Sequence, residues 1–304
     1  MSQSFNGVAC GFGAYFLWGV LPLFWKCLGG LPADEIICHR AIWSFFIVTG
    51  LIGFRYGFRS MELKSISLKT WTFIISGAVC IGLNWLINVS AVNSGKVIEC
   101  SLGYYMNPIF SLFLGVFFLG ERLRRLQIFA VSLAGAGVAL LVLLFGETPW
   151  TAISLTVTFG FYGLFKKLVK INAMIRLWFE ICFLSLAVLP YLVYLECSDT
   201  CHFLYHDVKS QIFLAATGLA TVLPLMCFAS ALDKVRLSTI GILQFVAPTL
   251  QFLMGVFIFN EKITPGFLIG FLFIWAGIGA YALDGLQNMS GIGLRKVSDP
   301  VTRT

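Results

Sequence analysis

A chain of 304 residues with 59% hydrophobic and only 12% charged side chains, at a mean hydropathy of +0.90, excludes a water-soluble globular body. Soluble domains carry about 25% charged residues, and so few charges cannot cover a wet surface. The net charge of +7 would suggest a nucleic-acid partner only in a soluble protein; here the expected partner is the lipid bilayer, and no nucleic acid is expected.

A helix needs about 20 apolar residues to cross the hydrocarbon core. Ten spans follow from that rule: 5–25, 36–54, 71–92, 98–119, 126–145, 150–166, 175–195, 211–232, 238–259 and 266–284. The sixth is short. Residues 1–4 lack the positive start of a cleaved leader, and the first apolar run is long enough to span, so no signal peptide is expected.

Lysine and arginine gather in alternate connections. Arg55, Arg59, Lys64 and Lys69 follow the second span, and Arg122, Arg124 and Arg125 follow the fourth. Lys166, Lys167, Lys170 and Arg176 follow the sixth, Lys234 and Arg236 the eighth, and Arg295, Lys296 and Arg303 lie in the tail. The positive-inside rule puts these on the cytoplasmic side, with both termini. The opposite side then holds Lys96, Lys209 and Lys262, with Glu196, Asp199 and Asp207 in loop 196–210.

The two halves of the chain repeat each other. At a constant offset of 140 residues, Pro108 matches Pro248, Gly115-Val116-Phe117 matches Gly255-Val256-Phe257, and Glu121-Arg122 matches Glu261-Lys262. Ala91 and Ala231, Lys96 and Arg236, and Ala136-Gly137 and Ala276-Gly277 keep the same offset. An ungapped match of that length reads as a duplication. Five spans per copy is an odd number, so the second copy starts on the opposite side of the membrane. Inverted repeats of Pro-bearing helices are a transporter architecture, with the substrate site near the midplane between the halves. The expected fold is therefore an all-α integral membrane protein of ten transmembrane helices in two inverted five-helix repeats. Its units are 1–145, 146–285 and a cytoplasmic tail at 286–304.

Several motifs sharpen this reading: Pro32-Ala33-Asp34-Glu35, His39-Arg40, Ile42-Trp43-Ser44-Phe45-Phe46, Asn84-Trp85 and Ala91-Val92-Asn93. They continue in S-L-G-Y-Y-M-N-P at 101–108, L-G-E-R at 119–122, R-L-S-T-I-G at 236–241, Gln244-Phe245, P-T-L at 248–250 and F-I-W at 273–275. Over residues 5–285 the chain resembles the RarD-type branch of the EamA, or drug/metabolite transporter, superfamily. The resemblance implies ten helices around a central cavity, movement of small organic solutes and a bacterial inner-membrane location. RarD-type proteins are often labelled chloramphenicol-resistance permeases, and related proteins of obligate intracellular bacteria resemble importers of S-adenosylmethionine.

Charged residues inside a bilayer are costly and usually face protein or water. Arg40 suits recognition of a substrate carboxylate; equally, it suits a structural cation that snorkels outward or pairs with Glu35 or Glu99. His39, about 100° away around the helix, reads as a packing residue. Glu99 opens the fourth span, either as a solvated N-terminal carboxylate or as a counter-charge for a cationic substrate or protons. Glu180 stands 140 residues after Arg40, so the repeat puts opposite charges at equivalent positions. It is a functional candidate, with pairing to Lys166 or Lys167 as the competing account.

Asn84 and Asn88, four apart, share one helix face. Ser101, Tyr104, Tyr105 and Asn107 cluster at the start of the fourth span, and Gln244 and Phe245 are the counterparts of Tyr104 and Tyr105. With Tyr15 and Trp18 they make a candidate aromatic, hydrogen-bonding cavity; interhelical glue is the bland alternative. Trp18-Gly19 resembles Tyr162-Gly163, an aromatic followed by a glycine that lets a neighbouring helix approach.

Nine cysteines show no metal spacing, and most lie in apolar runs. Cys197 and Cys201 share the outer loop, where a local disulfide and free thiols are both open. No G-x-x-x-x-G-K-[ST] occurs, so energy must come from a gradient or from exchange. The candidate substrate-binding set is Tyr15, Trp18, Arg40, Asn84, Asn88, Glu99, Tyr104, Tyr105, Asn107, Glu180, Gln244 and Phe245, with no cofactor, no metal and no catalytic group. An aromatic, carboxylate-rich lining points to an amphipathic solute with a cationic centre. The specific expectation is S-adenosylmethionine taken up in exchange for S-adenosylhomocysteine; efflux of chloramphenicol-like drugs or transport of amino-acid-type metabolites is the alternative. A single chain suffices for this, and a homodimer is compatible with it. An intramembrane enzyme is disfavoured, because His39, His202 and His206 do not form a catalytic constellation.

Overall fold

The computed structural model describes residues 2–55, 57, 66–120, 124–144, 148–197, 203, 207–234, 243–260 and 265–297. These hold ten helices: α1 (Ser2–Cys27), α2 (Ala33–Arg55), α3 (Leu68–Asn93), α4 (Val97–Leu119), α5 (Arg125–Leu144), α6 (Trp150–Leu168), α7 (Ala173–Cys197), α8 (Val208–Lys234), α9 (Val246–Phe257) and α10 (Pro265–Val297). Among the described residues there is no strand. That is the expected outcome for an apolar chain in lipid, where backbone groups must be satisfied within each segment. Seven of the helices are long and apolar enough to cross a membrane. The protein is an all-α membrane protein. α6, 19 residues long, is not among the seven and ends in Lys166 and Lys167.

Two elements depart from the sequence reading. The ninth span was expected over 238–259, but α9 covers only Val246–Phe257. Gln244 and Phe245 form a turn ahead of it, so Pro248 sits in its first turn rather than mid-helix. A proline is tolerated there because its missing N–H would have had no partner in any case. Its counterpart Pro108 lies inside the continuous α4. The tenth helix, in turn, runs to Val297 instead of stopping at 284. Residues 235–242, which carry the whole R-L-S-T-I-G motif, and Glu121-Arg122 with Glu261-Lys262, lie outside the described residues. So does Cys201, and with it the question of a bond to Cys197.

The halves interleave rather than standing side by side. α1 packs on α8 and α9, α2 on α7 and α8, α3 on α6 and α7, and α4 on α6 and α9, while α5 pairs with α10. These contacts map onto each other when each helix is exchanged for its partner five places on: α1–α8 becomes α6–α3, and α4–α6 becomes α9–α1. Close approach needs missing side chains. A Cβ on Gly218 of α8 would fall 2.6 Å from the backbone of Trp43 in α2. Gly19 is equally committed, with Leu250 of α9 2.7 Å from where its Cβ would be. Its sequence analogue Gly163 faces open space; the tight position on α6 is Gly160, against Phe110.

Outward faces carry Phe46, Phe54, Phe113, Phe117, Phe118, Phe129 and Phe257, all exposed. On this chain such rings are a lipid-facing surface. The interior is where the polarity collects: Arg40, Asn84, Asn88, Glu99, Ser101, Asn107, Glu180, Thr217, Thr221 and Gln251 are all buried.

Candidate functional site

A cavity of about 90 Å³ lies between the two halves, with α1, α2, α3 and α4 on one side and α6, α8 and the start of α9 on the other. Arg40 reaches it from α2 and is 4% exposed. Its Nε donates to Thr221 Oγ1 on α8 at 2.7 Å. Its guanidinium carbon lies 3.9 Å from the Trp85 ring centroid and 5.0 Å from that of Trp25. Among the described residues no carboxylate lies within ion-pair distance of it. Of the alternatives open for Arg40, pairing with Glu35 or Glu99 is not seen among the described residues; a hydroxyl and two aromatic faces take its place.

α3 contributes Asn84 and Asn88 one turn apart, both lining the cavity as their spacing requires. Asn84 Nδ2 donates to the Leu155 carbonyl and Thr158 Oγ1, both at 3.0 Å, and its Oδ1 accepts from the Tyr104 hydroxyl at 3.3 Å. These bonds fix the Tyr104 ring against the cavity. Asn88 makes no hydrogen bond to the described residues and is left facing the space. Tyr15, Trp18 and Phe228 form an aromatic wall, with Tyr15 and Trp18 ring centroids 5.2 Å apart and Trp18 and Phe228 5.6 Å apart. Asn107 lines the cavity and its Oδ1 accepts from Ser111 at 3.4 Å. Gln244 lines it from the turn before α9, and Gln251 one helical face further on. Gln251 donates to the Trp18 carbonyl, and its Oε1 is buried without a hydrogen-bond partner among the described residues.

Eight of the twelve candidate residues therefore meet here: Tyr15, Trp18, Arg40, Asn84, Asn88, Tyr104, Asn107 and Gln244. The other four do not line the cavity. Glu99 Oε1 accepts from the Thr151 N–H in the first turn of α6 at 2.9 Å, with Lys96 Nζ 3.8 Å from Oε2. It caps a helix start, where a carboxylate meets the positive end of the dipole. Tyr105 accepts from Trp275 Nε1 at 2.8 Å and bonds Thr249 at 2.7 Å. Phe245 packs in the same cluster, behind α9.

Glu180 sits one layer back. Its Oε2 accepts from the Tyr162 hydroxyl at 3.0 Å and lies 3.7 Å from Lys166 Nζ; its Oε1 lies 3.9 Å from Arg176 Nε. Lys166 and Tyr162, rather than Glu180, reach the cavity. The carboxylate-rich lining expected from the sequence is thus corrected: the charged residues on the wall are Arg40 and Lys166, both cations. Glu99 and Glu180 are taken up by partners that lie far away in sequence or across a helix turn. His39 stacks on Phe203 at 4.7 Å, in keeping with a packing role. Among the described residues no group of three or more His, Cys, Asp or Glu gathers to hold a metal.

The sequence reading missed Trp85, Lys166 and Gln251 as wall residues. Trp85 is visible in the Asn84-Trp85 pair, whereas Gln251 lies in the second turn of α9, seven residues beyond the turn residue Gln244. In the sequence Lys166 stands out as a cytoplasmic-side cation and as a candidate partner of Glu180, with nothing local to put it on the cavity wall.

The model of the EamA-like transporter family matches the chain twice, over residues 5–143 and 149–282. A protein named RarD from Escherichia coli is 36% identical over 284 residues, covering 93% of this chain and 96% of that one. RarD of Streptomyces exfoliatus is 39% identical over 283 residues, covering 93% and 90%. An uncharacterised transporter of Vibrio cholerae is 38% identical over 283 residues, covering 93% of each chain. A solved crystal structure shares the fold at a TM-score of 0.61 and 18% identity, covering 91% of this chain and 97% of the other. With two family-model matches that together take in nearly the whole sequence, the chain belongs to the EamA-like transporter family and is a multi-pass membrane transporter.

Proposed function

We propose that this transporter is a secondary carrier that moves a small organic metabolite through the central cavity by alternating access, without nucleotide hydrolysis. The observation that carries the reading is Arg40: a buried guanidinium on the cavity wall, stacked on Trp85, with no carboxylate within ion-pair distance among the described residues. A cation held in that way is costly unless something anionic visits it. Alternating access is supported by the interleaved halves, whose helix pairings exchange with each other, and by the two family-model matches. Both termini on the cytoplasmic side of a bacterial inner membrane is part of this proposal.

The specific solute expected from the sequence is S-adenosylmethionine, exchanged for S-adenosylhomocysteine. Its carboxylate suits Arg40, and its adenine suits the Tyr15, Trp18 and Phe228 wall. Two features count against it. The sulfonium would face Arg40 and Lys166 with no acid on the wall, and about 90 Å³ is well below the ~300–1,000 Å³ of ordinary ligand pockets. Efflux of amphipathic drugs needs an even larger, more loosely polar space. An acidic or amino-acid-type metabolite fits the charge of the wall better than either.

The test is uptake of radiolabelled S-adenosylmethionine into cells expressing the protein, with S-adenosylhomocysteine, amino acids, organic acids and chloramphenicol as competitors. Saturable uptake accelerated by preloaded S-adenosylhomocysteine would establish the exchanger. Background uptake, with the protein present in the membrane, would remove that substrate and leave acidic metabolites first in line. Absence of saturable flux for every class of solute tried in proteoliposomes would sink the transport reading at this cavity.

A further inference from the structure

We infer that the cavity selects compact organic solutes bearing two acidic groups, one held by Arg40 of the first half and the other by Lys166 of the second. This rests on the cavity being the transport site. Arg40 spends only Nε on a protein hydrogen bond among the described residues, leaving the rest of a five-donor fork for a ligand. Lys166 also lines the cavity, with its side chain 18% exposed. Its Nζ stands 3.7 Å from Glu180, well beyond the ~2.7–2.9 Å of a full charge-assisted hydrogen bond, and 4.4 Å from the Tyr162 ring centroid.

Glu180 is shared by two cations. If Lys166 turns from Glu180 toward a ligand, the Tyr162 hydroxyl still donates to the carboxylate at 3.0 Å, and Arg176 Nε stays 3.9 Å away as a nearby positive charge rather than a hydrogen-bond donor. The cluster of Lys166, Arg176 and Glu180 carries one uncompensated positive charge, and Arg40 supplies a second. Two surplus positive charges around one small space, with no Asp or Glu on its wall among the described residues, match two negative charges on the solute.

The start of α9 adds to this field. The chain is broken at the Gln244-Phe245 turn, and Gln244, Ala247 and Pro248 put the N-terminal end of a 12-residue helix on the cavity. Discontinuous helices of transporters present such ends, positive by their dipole, to anionic groups. Size sets the rest: the cavity, about 90 Å³, is small against ordinary ligand pockets of ~300–1,000 Å³, so a compact solute with its two acids a few carbons apart suits it. The second acid can be a carboxylate or a phosphate, since a lysine recognises either as a point charge.

The experiment uses the full-length protein in nanodiscs and a panel of three- to six-carbon mono-acids, di-acids, phosphorylated acids, zwitterions and diamines. Binding is read as a shift in melting temperature, and flux in proteoliposomes. Di-acids or phosphorylated acids should bind most tightly, the two arms showing which second group is taken. Lys166→Gln should raise the half-saturating concentration of the best di-acid roughly tenfold, the loss of one charge-assisted contact, while changing that of mono-acids little. Glu180→Gln should lower it, because Lys166 is no longer shared; a purely structural role for the pair would weaken binding instead. Lys166→Arg should bind nearly as wild type, which guards against a folding defect in Lys166→Gln.

Two results overturn the inference. If mono-acids, zwitterions or diamines bind as tightly as di-acids and Lys166→Gln leaves them unchanged, the two-cation grip is wrong while the transport reading stands. If nothing in the panel binds or moves through a folded protein, the transport reading falls and the grip with it.

Discussion

The Arg40 guanidinium and the Trp85 ring are stacked, carbon to centroid, at 3.9 Å, with both side chains buried in the first half of the chain. Arg40 is thereby held in plane, and its in-plane N–H groups are left for hydrogen bonds. A lysine would keep the charge but lose the fork and the stack. Arg40→Lys is therefore expected to fold, yet to lower the transport rate at limiting substrate by at least about tenfold, as one charge-assisted bidentate contact is worth. The measurement is initial uptake into proteoliposomes across substrate concentration. An unchanged KM would remove Arg40 from recognition.

Thr221 is the hinge between Arg40 and α8. Its hydroxyl donates to the Thr217 carbonyl at 2.9 Å and accepts from Arg40 Nε at 2.7 Å. Thr221→Val keeps the shape and deletes both bonds, leaving a buried cationic donor without its acceptor. The expected cost is about 1–3 kcal/mol of stability. Thermal unfolding in detergent checks it, with Thr221→Ser restoring most of the loss because the hydroxyl returns. Equal loss in Ser and Val would mean that the methyl packing, not the bond, carries the effect.

Much of this was legible beforehand, and the gaps have physical causes. Hydropathy set a span on each of the ten helices among the described residues, seven of them long and apolar enough to cross a membrane, because lipid imposes length and apolarity on each one separately. Asn84 and Asn88 were placed on one face by helical period alone. Arg40 stood out as a charge in an apolar run, but its partners did not: Thr221 is 181 residues away, and nothing local announces that α2 meets α8. The same limit misread Glu99, whose partner is the N–H of Thr151 on another helix. Glu180 was half legible, since Lys166 is one helix back but Arg176 and Tyr162 complete the cage. The short α9 was missed because hydropathy does not register a break that leaves both sides apolar.

The Glu180 cage yields a prediction about stability. Removing the acid, which is itself buried, leaves the partly buried Lys166 and Arg176 without that counter-charge. Breaking a buried pair by deleting one partner typically costs about 3–5 kcal/mol, so Glu180→Leu should lower the unfolding temperature sharply, Glu180→Gln less, because it keeps a hydrogen bond for Tyr162. The double variant Glu180→Leu/Lys166→Met should be more stable than Glu180→Leu alone. Additive losses in that cycle would mean that Lys166 and Glu180 do not interact.

The last relationship concerns motion. At the end of the bundle where α2 begins, the Tyr191 hydroxyl of α7 donates to Asp34 Oδ2 at 2.5 Å. Asp284 of α10 pairs with Arg124 near the start of α5, where α4 gives way to α5 at the other end of the chain's path. If the cavity opens alternately to the two sides and this contact is one of the gates, α2 and α7 separate at the Asp34 end during each cycle. A protein cleared of native cysteines and carrying Asp34→Cys with Tyr191→Cys should fold and transport while its thiols are free. Joining them with a short bifunctional thiol reagent should abolish turnover yet leave substrate-dependent thermal stabilisation measurable. Tyr191→Phe, which deletes only an exposed hydrogen bond, should cost less than about 1 kcal/mol and leave transport working. Full turnover in the cross-linked protein would show that this end of the bundle stays shut throughout, and alternating access between α2 and α7 would have to be abandoned.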